Sequence, residues 1–210
     1  MSALKLAEVF TSIQGEGHLT GKPMRFIRFA GCLVKSCQFH PANKARTTDC
    51  DTDWKYRLTA TAAELAADAL AEVGPRGWVS ITGGEPLDQP EAIAGLITEL
   101  NRAGLLVNIQ TSGTRWVTCP WDWLTVSPKC SAADLVQTFG QELKLVYTGQ
   151  PDEEIMAFYG STRFWNYYLM PVWKDGASNT AETIAAVLRL SKLGQPWELT
   201  TQAHKSWGVR

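Results

Sequence analysis

One strand-forming run after another in this chain leads into a loop that carries reactive side chains, and this recurrence narrows the fold more than any other feature. Met24 to Phe29 runs into Gly31-Cys32-Leu33-Val34-Lys35-Ser36-Cys37, and Trp78 to Thr82 into Gly83-Gly84-Glu85-Pro86. Leu106 to Gln110 leads to Thr111-Ser112-Gly113-Thr114, Leu124 to Val126 leads to Ser127-Pro128-Lys129, and Glu142 to Tyr147 is a further β-rich run. Helical patterns lie between them. Ala62, Leu65, Ala66, Ala69 and Val73 share a face behind the capping box Thr61-x-x-Glu64, and Ile93, Leu96, Ile97 and Leu100 share another, closed by Gly104. A third helix is expected from Ala181 to Leu193, capped by Asn179 or Thr180, and loops at Thr47-Thr48-Asp49 and Gly160-Ser161-Thr162. Strands alternating with helices imply parallel β/α units, and chemistry gathered at strand C-terminal ends marks a barrel-like sheet. With about three long helices, the expected fold is α/β, an incomplete, TIM-like β/α barrel.

The 210 residues fit one domain, 1–210, with no repeat or linker to divide it. Formal net charge is −1, from 20 basic and 21 acidic residues, and no run of Lys or Arg tracks a phosphate backbone, so nucleic acid is not expected as a direct partner. The N-terminus lacks a charged region followed by an apolar one, and no apolar run nears the ~20 residues that span a bilayer. A cytoplasmic enzyme without a membrane partner is expected.

Five cysteines, with Cys32, Cys37 and Cys50 clustered, fit metal ligation in a reducing compartment better than a disulfide framework. Cys119 and Cys130 are read as structural or incidental. Three thiolates are too few for a closed zinc site and suit an iron–sulfur cluster with one iron left open. Zinc completed by His40, three positions after Cys37, is the alternative. In the glycine turn, Gly83-Gly84 lets backbone approach a ligand because no Cβ intervenes, and Glu85 can accept from an ammonium group.

Several segments, in order along the chain, resemble the 7-carboxy-7-deazaguanine synthase family of the radical S-adenosylmethionine (SAM) superfamily. They are Ser12-Ile13-Gln14-Gly15-Glu16-Gly17, Arg28-Phe29-Ala30-Gly31-Cys32, Cys50-Asp51-Thr52, Thr82-Gly83-Gly84-Glu85-Pro86, Ser127-Pro128-Lys129, Glu142-Leu143-Lys144-Leu145-Val146 and Gln202-Ala203-His204-Lys205. The gaps of four and twelve residues between the cysteines depart from the usual C-x3-C-x2-C, and enlarged cysteine loops occur in this family. Two other departures are Gln110, where an acid is common, and Met170-Pro171-Val172-Trp173, which replaces a more polar segment.

The resemblance implies a barrel of the radical SAM type, with an extended cluster-binding loop at about 31–54. It implies a 4Fe–4S cluster on Cys32, Cys37 and Cys50, Mg2+ on Thr52, and SAM held by Gly83, Gly84, Glu85, Ser112, Ser127, Pro128, Lys129 and Asp51. The implied reaction is ring contraction of 6-carboxy-5,6,7,8-tetrahydropterin to 7-carboxy-7-deazaguanine with loss of ammonia, a lyase step of deazapurine and queuosine biosynthesis. Its substrate would meet Ile13, Gln14, Gly15, Glu16, Arg28, Thr82, His204 and the main-chain carboxylate of Arg210. Taken alone, Arg28 reads as a strand-face charge and His204 as a local hydrogen bonder. A flavodoxin or ferredoxin electron donor and a homodimer are also implied, and the nine Trp residues are assigned to core or dimer surface. Two rival functions remain: a radical SAM activase acting on a partner protein, and a zinc-stabilised binding module.

Overall fold

The computed structural model describes residues 3–35, 37, 39, 50, 52–174 and 176–210. Its frame is a nine-stranded sheet in the order β11-β8-β7-β6-β5-β4-β2-β1-β3. The strands are β1 (Leu4–Ile13), β2 (Pro23–Phe29), β3 (Leu58–Ala60), β4 (Trp78–Gly83), β5 (Leu106–Thr111), β6 (Trp123–Val126), β7 (Phe139–Tyr147), β8 (Arg163–Pro171) and β11 (Trp197–Leu199), with a separate hairpin of β9 (Trp173–Lys174) and β10 (Ala177–Ser178). From β2 through β11 every pairing in the large sheet is parallel, whereas β1 lies antiparallel to both β2 and β3. Helices α1 (Ala62–Val73), α2 (Pro90–Arg102), α3 (Asp152–Ser161), α4 (Thr180–Lys192) and α5 (Ala203–Trp207) complete the fold. This is the incomplete TIM-like β/α barrel that the alternation implied.

Local chemistry sets the helix ends. Thr61 accepts from the Glu64 amide and Glu64 reaches back to the Thr61 N–H at 2.7 Å, closing the capping box of α1. Helix α4 begins at Thr180 after the N-cap Asn179. Gly160 and Ser161, expected in a loop, instead finish α3, with Thr162 as its C-cap. Only Ile155 and Phe158 of α3 are buried, so its apolar stripe is too thin to stand out in the sequence. Thr47-Thr48-Asp49 lies outside the described residues.

Strand periodicity divides the side chains between two environments. Val79 and Ile81 of β4, Val107 and Ile109 of β5, Leu124 and Val126 of β6, and Leu143 and Leu145 of β7 join the main apolar core with the buried faces of α1, α2 and α4. The alternate residues turn inward and are largely polar. Ser80 donates to Asn108 at 3.0 Å, Asn108 to Thr125 at 3.3 Å, and Gln110 to Ser80 at 3.1 Å. The barrel interior is therefore hydrogen-bonded and suited to a polar ligand. No described helix is long and apolar enough to cross a membrane.

Candidate active site

A cavity of about 860 Å³ occupies the barrel interior, and the end lined by the cysteine loop is called its mouth. Three groups of residues line it.

The first is the cysteine loop. Cys32, Cys37 and Cys50 all line the cavity and pack in one apolar cluster with Val34, Phe39, Val146 and Met170. Burial pushes the Cys32 thiol up to about 11, with the Glu85 and Asp88 carboxylates adding to that and the Val34 amide opposing it. A neighbouring cation is thus needed to make it a thiolate near neutral pH. The Phe39 N–H donates to Cys37 Sγ at 3.4 Å, the kind of bond that supports a metal-bound sulfur. These features fit a cluster held by three thiolates. Among the described residues no group of three His, Cys, Asp or Glu is set to bind a single metal ion. His40, the fourth ligand of the zinc alternative, lies outside the described residues, as does Asp51.

The second group is the rim behind β4, β5 and β6. Gly83, Gly84, Thr111, Ser112, Ser127 and Lys129 face the cavity. The cysteine loop rests directly on the glycine turn: the Gly84 amide donates to Phe29 O and the Glu85 amide to Gly31 O at 3.1 Å. A Cβ on Gly84 would sit 2.0 Å from the Gly31 carbonyl oxygen, so only glycine allows this approach. Lys129 Nζ folds onto Ser127 Oγ at 2.7 Å. Glu85 and Pro128 are not among the lining residues. The Glu85 carboxylate is 1% exposed and accepts from Leu87 N, Thr111 Oγ1, Ser112 N and Ser112 Oγ, a clasp that ties the end of β4 to the end of β5. Ser112, Gln110 and the segment from Met170 to Trp173 reach the cavity directly.

The third group forms the deep wall, where the loop after β1 meets β7 and the segment after β11. Ile13, Gln14, Gly15, Glu16, Arg28, Thr82, His204 and Arg210 all line this part. The Ala203 amide donates to Gly15 O at 2.9 Å, the Gly17 amide to Thr200 Oγ1 at 2.7 Å, and the His18 amide to Glu142 Oε2 at 2.9 Å. Gly15 is pressed against His204, whose Nδ1 would lie 2.4 Å from a Cβ there. Arg28 Nε binds Glu8 Oε1 at 2.7 Å, and the Arg210 guanidinium shares that carboxylate above the Phe10 ring. The main-chain oxygen of Arg210 accepts from Ser12 Oγ at 2.7 Å.

Lys144 and Gln202, to which sequence reasoning gave no role, complete this wall. Lys144 is 3% exposed, and its ammonium forms an ion pair with Glu16 Oε2, while Gln202 Nε2 donates to Glu16 Oε1 at 3.0 Å. Burial alone would raise the Glu16 carboxyl, but Lys144, Gln202 and His204 together outweigh it and bring it down to about 2. On β7, two residues before Lys144, Glu142 shifts the other way, upwards, because burial exceeds the help it receives from Lys144 and the His18 amide. The sequence offered for Lys144 only a lysine flanked by Leu143 and Leu145 in a β-rich run, which does not by itself say that the side chain is buried.

Thr52 lines the cavity next to Asp53, whose carboxylate is held 2.5 Å from Arg57. Cys119 and Cys130 pack half-buried against the main core, away from the other thiols. Trp121 donates to Gln141 at 3.0 Å, Trp123 stacks on His18, and Trp116 is about half exposed.

No family model matches the chain. A 7-carboxy-7-deazaguanine synthase from Caulobacter vibrioides is 38% identical, with 96% of this chain and 97% of that protein covered. The one from Bacteroides thetaiotaomicron is 36% identical over 98% of each. The crystal structure of QueE from Escherichia coli matches with a TM-score of 0.66 at 26% identity, covering 96% of this chain and 95% of that one.

Proposed function

The chain belongs to the 7-carboxy-7-deazaguanine synthase family, and from that premise we infer how its cavity serves the ring contraction of 6-carboxy-5,6,7,8-tetrahydropterin to 7-carboxy-7-deazaguanine with loss of ammonia. It is a radical SAM lyase that uses a 4Fe–4S cluster and SAM. The observation that carries the assignment of residues is that one cavity has three thiols at its mouth, a glycine turn and Ser127-Lys129 at its rim, and Gln14, Glu16, Arg28 and His204 in its depth.

Cys32, Cys37 and Cys50 would hold the cluster, which together with SAM supplies reductive cleavage and a carbon radical able to take hydrogen from the substrate. The chain's own residues bind, orient and exclude water. The backbone of Gly83-Gly84 offers close contact to the methionyl end of SAM, and Ser112, Ser127 and Lys129 offer hydroxyl and ammonium groups to its polar parts. Glu85 serves through its clasp, fixing Ser112 and the glycine turn. Deeper in the cavity, the Glu16 carboxylate accepts from the donor-rich amino and ring N–H edge of the pterin, and Gln14 offers both donor and acceptor. Arg28 and His204 face the anionic carboxyl group. Thr52 presents a hard oxygen for Mg2+, which fills its other positions with water and substrate oxygens.

A flavodoxin or ferredoxin as electron donor, a homodimer and a cytoplasmic location complete the proposal; the first two rest on the family resemblance, the last on the N-terminal sequence and the cysteine usage. The direct test is to incubate reconstituted protein with SAM, reductant and the carboxypterin and look for the deazaguanine acid. Cleavage of SAM without that product would refute the substrate assignment.

A further inference from the structure

Lys144 is an unusual residue for its place. It lies in the middle of β7, between Leu143 and Leu145 of the apolar core, and the alternation of the strand sends its four-carbon stem into the barrel interior. A lysine this deeply buried is costly unless its charge is answered. Here the answer comes from across the barrel: Glu16 forms the ion pair, and Gln110 Oε1 stands 3.4 Å from the same ammonium.

We propose that Lys144 is a positioning residue that holds Glu16 ionised and aimed into the cavity, and thereby keeps that side chain acceptor-only. The inference deepens the reading of Glu16 as a substrate contact and rests on it. A carboxylate has about four acceptor sites. Lys144 occupies one on Oε2 and Gln202 one on Oε1, so both oxygens are pinned while each keeps capacity for a further donor. Protonation would turn one oxygen into a donor facing the pterin's own N–H groups, and that contact would be lost.

The charged groups around Glu16 act in opposing directions. Lys144 on β7 and His204 on α5 favour the carboxylate, Glu142 on β7 repels it, and Lys205 acts at one remove by binding Gln202 Oε1 at 2.9 Å. With Lys144 present the carboxyl stays at about 2, so Glu16 does not titrate in the enzyme's working range. Removing Lys144 leaves burial, the largest influence, opposed only by Gln202 and His204, and the Glu16 pKa moves up. The sign follows: pterin affinity in such a variant is retained at high pH and falls as pH is lowered through the raised value.

The test uses cluster-loaded protein under anaerobic conditions with SAM present, and 6-carboxypterin as probe, with binding read by its fluorescence. In Lys144→Met, the dissociation constant relative to the parent should climb as pH falls from about 8 to about 5, by up to about tenfold per pH unit below the shifted pKa. Because Lys144→Met strands a buried carboxylate and can fail to fold, the double variant Lys144→Met/Glu16→Gln removes both charges. It should bind weakly, with the parent's pH profile. SAM binding should be unchanged in all variants. A pH-independent loss in Lys144→Met, or none, overturns the inference, provided Glu16→Gln does lose pterin affinity. If Glu16→Gln binds the probe as tightly as the parent, the underlying reading of Glu16 falls as well.

Discussion

The two ends of the cavity are built on opposite principles. At the mouth the residues are thiols and backbone: Cys32 is pushed up to about 11 by burial, and the glycine turn offers main chain with no side chain in the way. In the depth, charged side chains already satisfy one another, with Glu16 on Lys144 and Gln202, and Arg28 on Glu8. The contrast follows from what each end receives. A metal cluster brings its own strong bonds and positive charge, so the protein need only place ligands. A carboxylated heterocycle brings hydrogen bonds and a single negative charge, so orientation must be settled before it arrives.

The largest effect should come at the mouth. Replacing Cys32, Cys37 or Cys50 by Ala should each abolish stable iron incorporation, measured as iron and acid-labile sulfide, while Cys119→Ala and Cys130→Ala should leave both intact. Full iron content in Cys37→Ala would point to another ligand and remove the three-thiolate reading.

A pair of one-methyl changes separates the ends more finely. Gly84→Ala puts a Cβ 2.0 Å from backbone oxygen that has no freedom to yield, so the cysteine loop must lift. Iron loading and SAM affinity should both fall. Gly15→Ala collides instead with His204, its Cβ lying 2.6 Å from the His204 amide nitrogen. Pterin affinity should drop on the order of 10²-fold, the scale expected when a positioning group moves by about 1 Å, with iron content unchanged. Equal losses of iron and pterin in both variants would mean the ends are not separable. Thr52→Ala, which removes a hydroxyl ligand, should lower turnover by at least about tenfold, the lower end of the loss seen even for a ligand's orienting partner, and blunt its response to Mg2+. SAM cleavage should remain measurable, and an unaltered Mg2+ response would take Thr52 out of the site.

The two ends also differed in how far the sequence exposed them. Parallel strands β2, β4, β5, β6 and β7 and helices α1, α2 and α4 follow from local periodicity and caps, because each buries one regular face. Strand β1 hid its alternation behind an irregularity between Leu6 and Glu8, and β8 is an aromatic run ending in Pro171 that matches no clean period. The mouth depends on residues close together in sequence, the Cys32–Cys37 loop and Gly83-Gly84, and such groups announce themselves. Lys144 does not, since its partner Glu16 is 128 positions away, and a lone lysine in a strand reads as a solvent-facing residue until the barrel closes around it. The sequence named Glu85 as a ligand contact from its motif, but could not show four donors already converging on that carboxylate.

The smallest expected effect concerns the scaffold common to both ends. Helix α1 buries Ala62, Leu65, Ala66 and Ala69 against the core and packs on β1, which leads into Gln14 and Glu16, and on β2, which carries Arg28 and leads into the cysteine loop. Its N-terminus is closed by Thr61, which receives the Glu64 amide at 3.2 Å. Thr61→Ala leaves that amide to water and takes the hydroxyl bond from the Glu64 carboxylate, which keeps the backbone N–H of residue 61, a loss that belongs to helix stability and to no ligand. A chain of this size should then lose roughly 2–4 °C of thermal midpoint, compared at one scan rate. Iron content, SAM affinity and pterin affinity should match the parent at 25 °C, because α1 stays docked by its apolar face when its first turn frays. A selective fall in pterin affinity would show that strain in α1 reaches the deep wall through β1. The two ends would then differ in their tolerance of scaffold motion as well as in their chemistry.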